Sequence, residues 1–111
     1  MKIAALNAQH AWIIVKDYVR HNKSFNSISA VHYTARISGD SIFYKGTNRN
    51  NGEEEMIARA EFVEAFLNIQ LLKDINTNTI KPVIPNSLYQ KRSPLVGLLH
   101  SSGILIQKPE I

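Results

Sequence analysis

The sequence predicts a single α+β domain, and three observations support that fold class. Apolar residues recur every three or four positions over 7–22 and again over 61–73, which is the period of a helix. Between these segments, residues 31–37 alternate between apolar and polar, which is typical of a half-buried strand. The chain has 111 residues, enough for one hydrophobic core and too few for a second domain of ordinary size. We therefore expect one small antiparallel sheet packed against helices.

The first helix is predicted over about 7–22. Its apolar face consists of Ala8, Ala11, Trp12, Val15, Tyr18 and Val19. On another face, Lys16, Arg20 and Lys23 follow one another at a spacing of three or four residues, so they are expected to project together. The turn-forming residues after Asn22 end the pattern.

A β-hairpin is predicted over about 28–46. Val31, Tyr33, Ala35 and Ile37 fall on one side of the first strand, and the tripeptide at 38–40 offers a tight turn before the return strand. The residues expected on the opposite, exposed face are His32, Arg36, Phe43 and Lys45, with Arg49 in the loop that follows. Aromatic and basic side chains on one sheet face are typical of surfaces that stack and neutralise single-stranded nucleic acid.

Residues 53–60 allow two interpretations. Glu53, Glu54 and Glu55 suit the first turn of a helix, where carboxylates complement the helix dipole, and they equally suit the solvated start of an edge strand over about 54–58. A helix over about 60–74 follows in either case. Its apolar face is wide, which predicts burial on more than one side and a central place in the fold.

The C-terminal third is predicted to hold a last helix and a last strand. Pro82 and Pro85 exclude regular helix before it. Ser93 as N-cap and Pro94 as first helical residue predict a helix over about 94–102, and Gly103 suits a left-handed C-cap. A short strand over about 104–108 would complete the sheet. The 88–102 segment is open to two readings, a recognition helix of a helix-turn-helix domain or a helix packed in the core.

No motif in the chain predicts catalysis, a cofactor or a metal site. There is no cysteine, which excludes disulfides and thiolate zinc sites, and the four histidines lack the spacing of helical metal ligands. Phosphate-binding loops, dinucleotide fingerprints and nucleophile elbows are missing too. No stretch of about 20 apolar residues is present, so no membrane partner is expected and the cytoplasm is the expected location.

The charge distribution supplies the leading functional hypothesis. The net charge is +4, but residues 1–50 carry +5, residues 51–75 carry −4 and residues 76–111 carry +3. Such segregation favours a basic face that attracts polyanions. We therefore predict a non-catalytic binding protein that contacts nucleic acid, DNA in particular, or another polyanion. The predicted contact residues are Lys16, Arg20, Lys23, Arg36, Lys45, Arg49, Lys91, Arg92 and Ser93.

Two other classes of function stay open. Short strands with open edges and a helix that is apolar on most sides also favour a protein-interaction module, in particular a homodimer. A small enzyme whose active site is assembled from distant segments is the least favoured class. The charges also have a plain interpretation, because small proteins use surface charge to stay soluble.

Overall fold

The α+β class is confirmed by the computed structural model, which describes residues 2–3, 7–47 and 49–106. The described residues form three helices and two antiparallel sheets in one compact unit. In chain order the elements are β1 (Lys2–Ile3), α1 (Ala8–Asn22), β2 (Ser24–Asn26), β3 (His32–Ser38), β4 (Ser41–Gly46), β5 (Glu55–Ala58), α2 (Arg59–Ile69), α3 (Arg92–Ser101) and β6 (Leu105–Ile106), with 3-10 helices at Asn50–Gly52 and Asn86–Lys91.

The main sheet has four strands in the order β2-β3-β4-β5, all antiparallel to their neighbours. Its inner face carries Phe25, Tyr33 and Tyr44, whose rings pack with centroids 4.7 to 6.0 Å apart. Ile42 and Ile57 extend this face, and the helices cover it, so these side chains are fully buried. The outer face keeps its polar side chains exposed.

Helix α1 confirms the first predicted helix. Asn7 caps it, because its Oδ1 accepts a hydrogen bond of 2.7 Å from the backbone N–H of His10. Lys23 ends it in the left-handed conformation at φ 56°, and its N–H donates to the carbonyl of Val19. The predicted apolar face is the buried one, and Trp12 packs 5.3 Å from the ring of Phe62 on α2.

The hairpin is confirmed as β3 and β4, but its first strand begins at His32 rather than near residue 28. Residues 27–31 form a turn instead: the Ser27 carbonyl accepts from the N–H of Ala30 at 3.0 Å, and the Ser27 N–H donates to Val31. Ala30 takes a φ of 68°, which a strand does not permit. Strand β2, which pairs with the start of β3, was not predicted.

The ambiguity at 53–60 is resolved in favour of a third strand of the hairpin sheet. Strand β5 pairs with β4 and passes directly into α2, where Glu61 accepts a hydrogen bond of 3.0 Å from the N–H of Ala58. The predicted end of α2 at residue 74 is wrong, because the helix ends at Ile69. The Asn68 side chain donates to the carbonyl of Val83, and Asn76 opens a separate turn by accepting from the N–H of Thr79.

Helix α3 begins at Arg92, so the prediction of Ser93 as N-cap is wrong. The 3-10 helix at Asn86–Lys91 runs straight into α3, and the cap residue Lys91 makes no side-chain capping bond. Pro94 is tolerated as the third helical residue, since first-turn N–H groups have no partner within a helix. Gly103 takes a φ of 83°, as predicted for a left-handed residue after the helix.

Helix α3 is a core helix, which decides between the two readings of this segment. All of residues 94–99 are buried. Gly97 lets α3 approach β2 closely, because a Cβ at this position would lie 2.8 Å from the carbonyl oxygen of Asn26. A recognition helix needs an exposed face for base edges, and this one has no such face along those six residues.

The C-terminal strand does not join the main sheet, contrary to the prediction. β6 pairs antiparallel with β1, with Lys2 opposite Ile106 and Ile3 opposite Leu105. Residues 107–108 of the predicted strand lie outside the described residues. The free edge of the main sheet at β5 meets the 3-10 helix before α3, where the Lys91 Nζ donates a 2.6 Å hydrogen bond to the carbonyl of Met56.

Candidate functional site

The outer face of the main sheet carries the aromatic and basic residues predicted for it. Arg36 lies opposite Phe43 in the register of β3 and β4, and Lys45 lies opposite Thr34. The Arg36 guanidinium carbon lies 4.4 Å from the centroid of the half-buried Phe43 ring, a cation–π contact. His32 is exposed at the start of the same face. The alternation in sequence therefore predicted this surface correctly.

Arg36 also forms an ion pair that the sequence did not predict. Its Nε donates to Glu54 Oε2 at 3.0 Å, and its Nη2 donates to Glu54 Oε1 at 2.8 Å. These hydrogen bonds lower the pKa of Glu54, although burial opposes them in part; the charges of Arg36 and then of Lys45 lower it further. The same bonds raise the pKa of Arg36.

Two clefts lie along this surface, one on the outer face itself and one that extends toward the C-terminal end of α1. The cleft toward α1 has a volume of about 380 Å³ and is lined by Arg20, Lys23 and Arg36, with the edge of β3 as its floor. Strand β2 begins there, and just before it the carbonyl of Lys23 accepts a hydrogen bond from the N–H of Ala35. The outer-face cleft, of about 240 Å³, is lined by Arg36 and Lys45. Arg36 thus belongs to both clefts.

We call Arg20, Lys23, Arg36 and Lys45 the basic strip. Arg20 is bridged to Asp17 at 3.3 Å, with both side chains more than half exposed. Within the described part of the chain, Lys23 and Lys45 take part in no salt bridge. The strip therefore combines two paired and two unpaired cations. Of the other predicted contacts on α1, Lys16 is half-buried one turn before Arg20 and does not line this cleft.

Three other predicted residues, Arg49, Arg92 and Ser93, meet at a different cavity of about 410 Å³. We call it the α3 pocket, because the 3-10 helix before α3 and the first turns of α3 form one wall. The loops after β2, after β4 and after α2 form the others. Lys91, the fourth predicted residue of this region, does not line the pocket; it caps the edge of β5.

Arg49 is fixed by two partners. Its Nε and Nη2 donate to the carboxylate of Glu55 at 2.8 and 3.2 Å, and its Nη2 donates to the carbonyl of Gln90 at 2.6 Å. Burial works to lower the pKa of Arg49, but the hydrogen bond and charge of Glu55 outweigh it and raise that pKa. Arg49 therefore stays charged and connects the loop after β4 to the segment before α3.

The hydroxyl of Tyr44 is buried close to this pair. Burial raises the pKa of Tyr44, and the charge of Glu55 raises it further, so the phenol stays protonated. Arg49 opposes the shift, but it directs its N–H groups to Glu55 and Gln90. Within the described ranges the Tyr44 hydroxyl has no hydrogen-bond partner. An unpaired polar group of this kind costs stability.

Arg92 is held less tightly than Arg49. Its guanidinium carbon lies 4.3 Å from the centroid of the Tyr89 ring, and its Nη1 lies 3.4 Å from the carbonyl of Thr77. Among residues 2–3, 7–47 and 49–106 it forms no salt bridge. Most of its N–H donors are therefore available for a ligand.

The sequence prediction missed the acidic partners and the pocket walls. Glu54 and Glu55 are consecutive at the start of a strand, so their side chains point to opposite faces; this alternation was the available signal for two separate ion pairs. Tyr89 lies three residues before Arg92, which is the spacing of neighbours along a helical turn. Thr77 and Ser29 reach the pocket through tertiary packing and left no signal in the sequence.

A cleft on another side of the molecule, of about 650 Å³, is mainly apolar. It lies along α2 and is lined by Ala58, Val63 and Leu67, with Arg59 and Glu64 beside them. Arg59 bonds Gln9 on α1 at 3.0 Å. Leu67 is 50% exposed and Leu71, just after the helix, is 79% exposed. The wide apolar face predicted for this helix is therefore buried on one side and open on the other.

In the part of the chain that the structure describes, no three His, Asp or Glu side chains gather as metal ligands would. The described helices include none with the length and apolar character needed to cross a membrane. Comparison with family models, curated proteins and solved structures gave no match in any of the three. Functional inference must therefore come from the geometry of the clefts themselves.

Proposed function

We propose that this chain is a non-catalytic protein that binds single-stranded nucleic acid, DNA in particular, across the outer face of its main sheet. The position of Arg36 carries the proposal: it lines both basic clefts and covers the ring of Phe43. A strand of nucleic acid along the basic strip would meet four cations and one aromatic platform. We keep the cytoplasm as the expected compartment.

Phosphates and bases would use different residues of this surface. Lys23 and Lys45 would contact phosphates first, because neither has to leave a salt bridge within the described structure. A base would stack on the guanidinium plane of Arg36, which already lies over Phe43. The exposed pairs of Arg20 and Arg36 contribute little to stability, so phosphates can replace their carboxylates.

A fluorescence-polarisation titration with a labelled 12-nucleotide single strand tests this proposal over a series of salt concentrations. We expect binding that weakens with salt, because bound phosphates release counterions. Replacing Lys23 and Lys45 with alanine should reduce the slope of log K against log salt by about 0.7 for each lysine. The matched control is the double variant Lys73→Ala and Lys81→Ala, which removes two exposed lysines outside the strip.

Two results would count against the proposal. One is the absence of binding at micromolar protein in low salt. The other is an equal loss for the control variant, which would mean that total charge, and not the strip, attracts the nucleic acid. A duplex of the same length should bind more weakly than the single strand, because paired bases cannot stack on Arg36. Stronger duplex binding would contradict the stacking mode.

The predicted contacts outside the strip, namely Lys16, Arg49, Lys91, Arg92 and Ser93, stay predictions. Arg49 and Lys91 already bond groups of their own chain. For these two residues, a nucleic-acid role would require breaking those bonds. The strip is therefore the smaller and more testable set.

A homodimer is the second candidate, and the apolar cleft along α2 favours it. Leu67 is half exposed there, and Arg59 and Glu64 carry opposite charges on the same helix. A two-fold axis across this cleft would place Leu67 against a second copy and each Arg59 near the partner's carboxylate. Sedimentation of the wild type and of Leu67→Glu at micromolar concentration tests this. A monomer in both samples would remove the candidate.

A further inference from the structure

We propose that the α3 pocket is a separate binding site for a small phosphate monoester with an apolar or planar body. The pocket volume of about 410 Å³ lies in the range of small-molecule sites. Its walls come from four segments that are far apart in sequence, so its shape depends on the folded core. The basic strip and this pocket share no lining residue.

The charge inside the pocket is positive. Arg49 and Arg92 both line it, and none of the described lining residues is acidic. Glu55 neutralises Arg49 from outside the lining, while Arg92 has no salt bridge in the described structure. One net positive charge with unused N–H donors is therefore open to an anion. A guanidinium binds the oxygens of a phosphate in a two-pronged geometry that an ammonium cannot provide.

The remaining lining supports a phosphate ester rather than free phosphate. Ser29, Thr77 and Ser93 bring aliphatic hydroxyls to the lining, and hydroxyls donate to phosphate oxygens. Ile28, Val96 and the ring of Tyr89 add apolar surface to the same cavity. A cavity with convergent polar groups and apolar walls suits a ligand that has one charged end and one apolar end.

Both arginines are already oriented before any ligand binds. Arg49 is fixed by Glu55 and the Gln90 carbonyl, and Arg92 lies against Tyr89. Less side-chain entropy is then lost on binding. Because Arg49 also connects two loops, Arg92 is the better residue for a test by mutation.

The test is an NMR titration of the full chain labelled with ¹⁵N, using phenyl phosphate, inorganic phosphate and phenol as probes. We expect phenyl phosphate to shift the Nε–H resonances of Arg49 and Arg92 and the amides near Ser93 in a saturable way. Inorganic phosphate should bind at least several-fold more weakly, because it leaves the apolar walls empty, and phenol should not bind. Similar affinity for all three probes, or shifts confined to the basic strip, would overturn the proposal.

Two variants complete the test. Arg92→Gln should weaken phenyl phosphate binding by about tenfold or more, since it removes a charged hydrogen-bond donor. Ser29→Glu places a carboxylate at the exposed rim and should abolish binding. The matched control is Ser38→Glu, which adds the same charge at an exposed serine outside the pocket. Wild-type affinity in Arg92→Gln, or equal loss in both serine variants, would show that the pocket does not hold the phosphate.

Discussion

Two consecutive glutamates at the start of β5 form two ion pairs with opposite character. Glu54 pairs with Arg36 on the outer face, where the side chains are 30% and 55% exposed. Glu55 pairs with Arg49 beside the core, where they are 12% and 25% exposed. Both pairs use two N–H···O bonds of similar length. Because successive side chains of a strand point to opposite faces, the same kind of ion pair lies in two different environments.

The difference shows why contact geometry alone does not reveal what an ion pair does. Water and salt compete with the exposed pair, so Arg36 can exchange Glu54 for another anion at little cost. The shielded pair is surrounded by protein, and breaking it would leave an uncompensated charge. The exposed Arg36–Glu54 pair is therefore the one that the proposed binding can use, whereas Arg49–Glu55 belongs to the architecture. Four predictions test this distinction.

The largest effect is expected for Glu55→Gln. The substitution leaves the Arg49 guanidinium charged and partly buried without its carboxylate, so the free energy of unfolding should fall by about 2 kcal/mol, less than for a fully buried pair. Urea denaturation measures the change. The control Glu53→Gln removes the same charge from an exposed neighbour and should leave the urea midpoint unchanged. Equal stability of the two variants would mean that Arg49–Glu55 is as exchangeable as the outer pair.

The next largest effect, of opposite sign, is expected for Tyr44→Phe. The buried hydroxyl lacks a hydrogen-bond partner in the described part of the structure, so removing it should raise the free energy of unfolding by about 1 kcal/mol. The same urea experiment measures it. Destabilisation instead would show that the hydroxyl bonds Arg49 in solution and belongs to the shielded pair.

A smaller effect is expected for Glu54→Gln, and it concerns binding rather than stability. Freeing Arg36 and removing one negative charge from the strip should strengthen single-stranded DNA binding by about threefold, the scale of one added phosphate contact. Polarisation titrations at fixed salt measure this. Glu53→Gln again supplies the control, because it changes the net charge equally without freeing Arg36. If both variants bind alike, the pair does not regulate access to Arg36.

The smallest effect is the pH dependence of the outer pair. Because Arg36 lowers the pKa of Glu54, the pair stabilises the fold above the ordinary carboxyl pKa, and this contribution is lost as pH falls through the lowered value. Carboxyl NMR titration should place the Glu54 pKa below that of an exposed glutamate. In Arg36→Gln the Glu54 pKa should rise toward its ordinary value. A pKa unaffected by this substitution would contradict the pairing.

The parts of the fold that depend on local signals were predictable from the sequence. Helix α1 and the hairpin follow from apolar spacing and turn residues within each segment, whereas β5 was one of two interpretations that the sequence left open for residues 53–60. Strand β2 was not predictable, because three residues are too few to show alternation and only the pairing with β3 defines them. The pairing of β6 with β1 depends on contacts between the two ends of the chain, which no local pattern records.

The candidate site divides in the same way. The outer face was predicted because Arg36, Phe43 and Lys45 obey the strand period. The acidic partners were not predicted, since the sequence left open whether residues 53–60 form a strand, and only a strand directs Glu54 and Glu55 to opposite faces. The start of α3 was misjudged because Ser93 and Pro94 resemble a helix start, whereas the preceding 3-10 helix already supplies the first turn. The α3 pocket arises from tertiary packing alone.

The hydrogen bond between Lys91 and the carbonyl of Met56 bears on how molecules of this protein associate at high concentration. β5 is one of the two edge strands of the main sheet, and an unprotected edge strand can pair with a strand of another molecule. The Lys91 ammonium group donates to a backbone carbonyl on the edge of β5 and places a positive charge where an added strand would have to pair. A lysine at the edge of a sheet is one of the features by which proteins disfavour pairing between the sheets of different molecules.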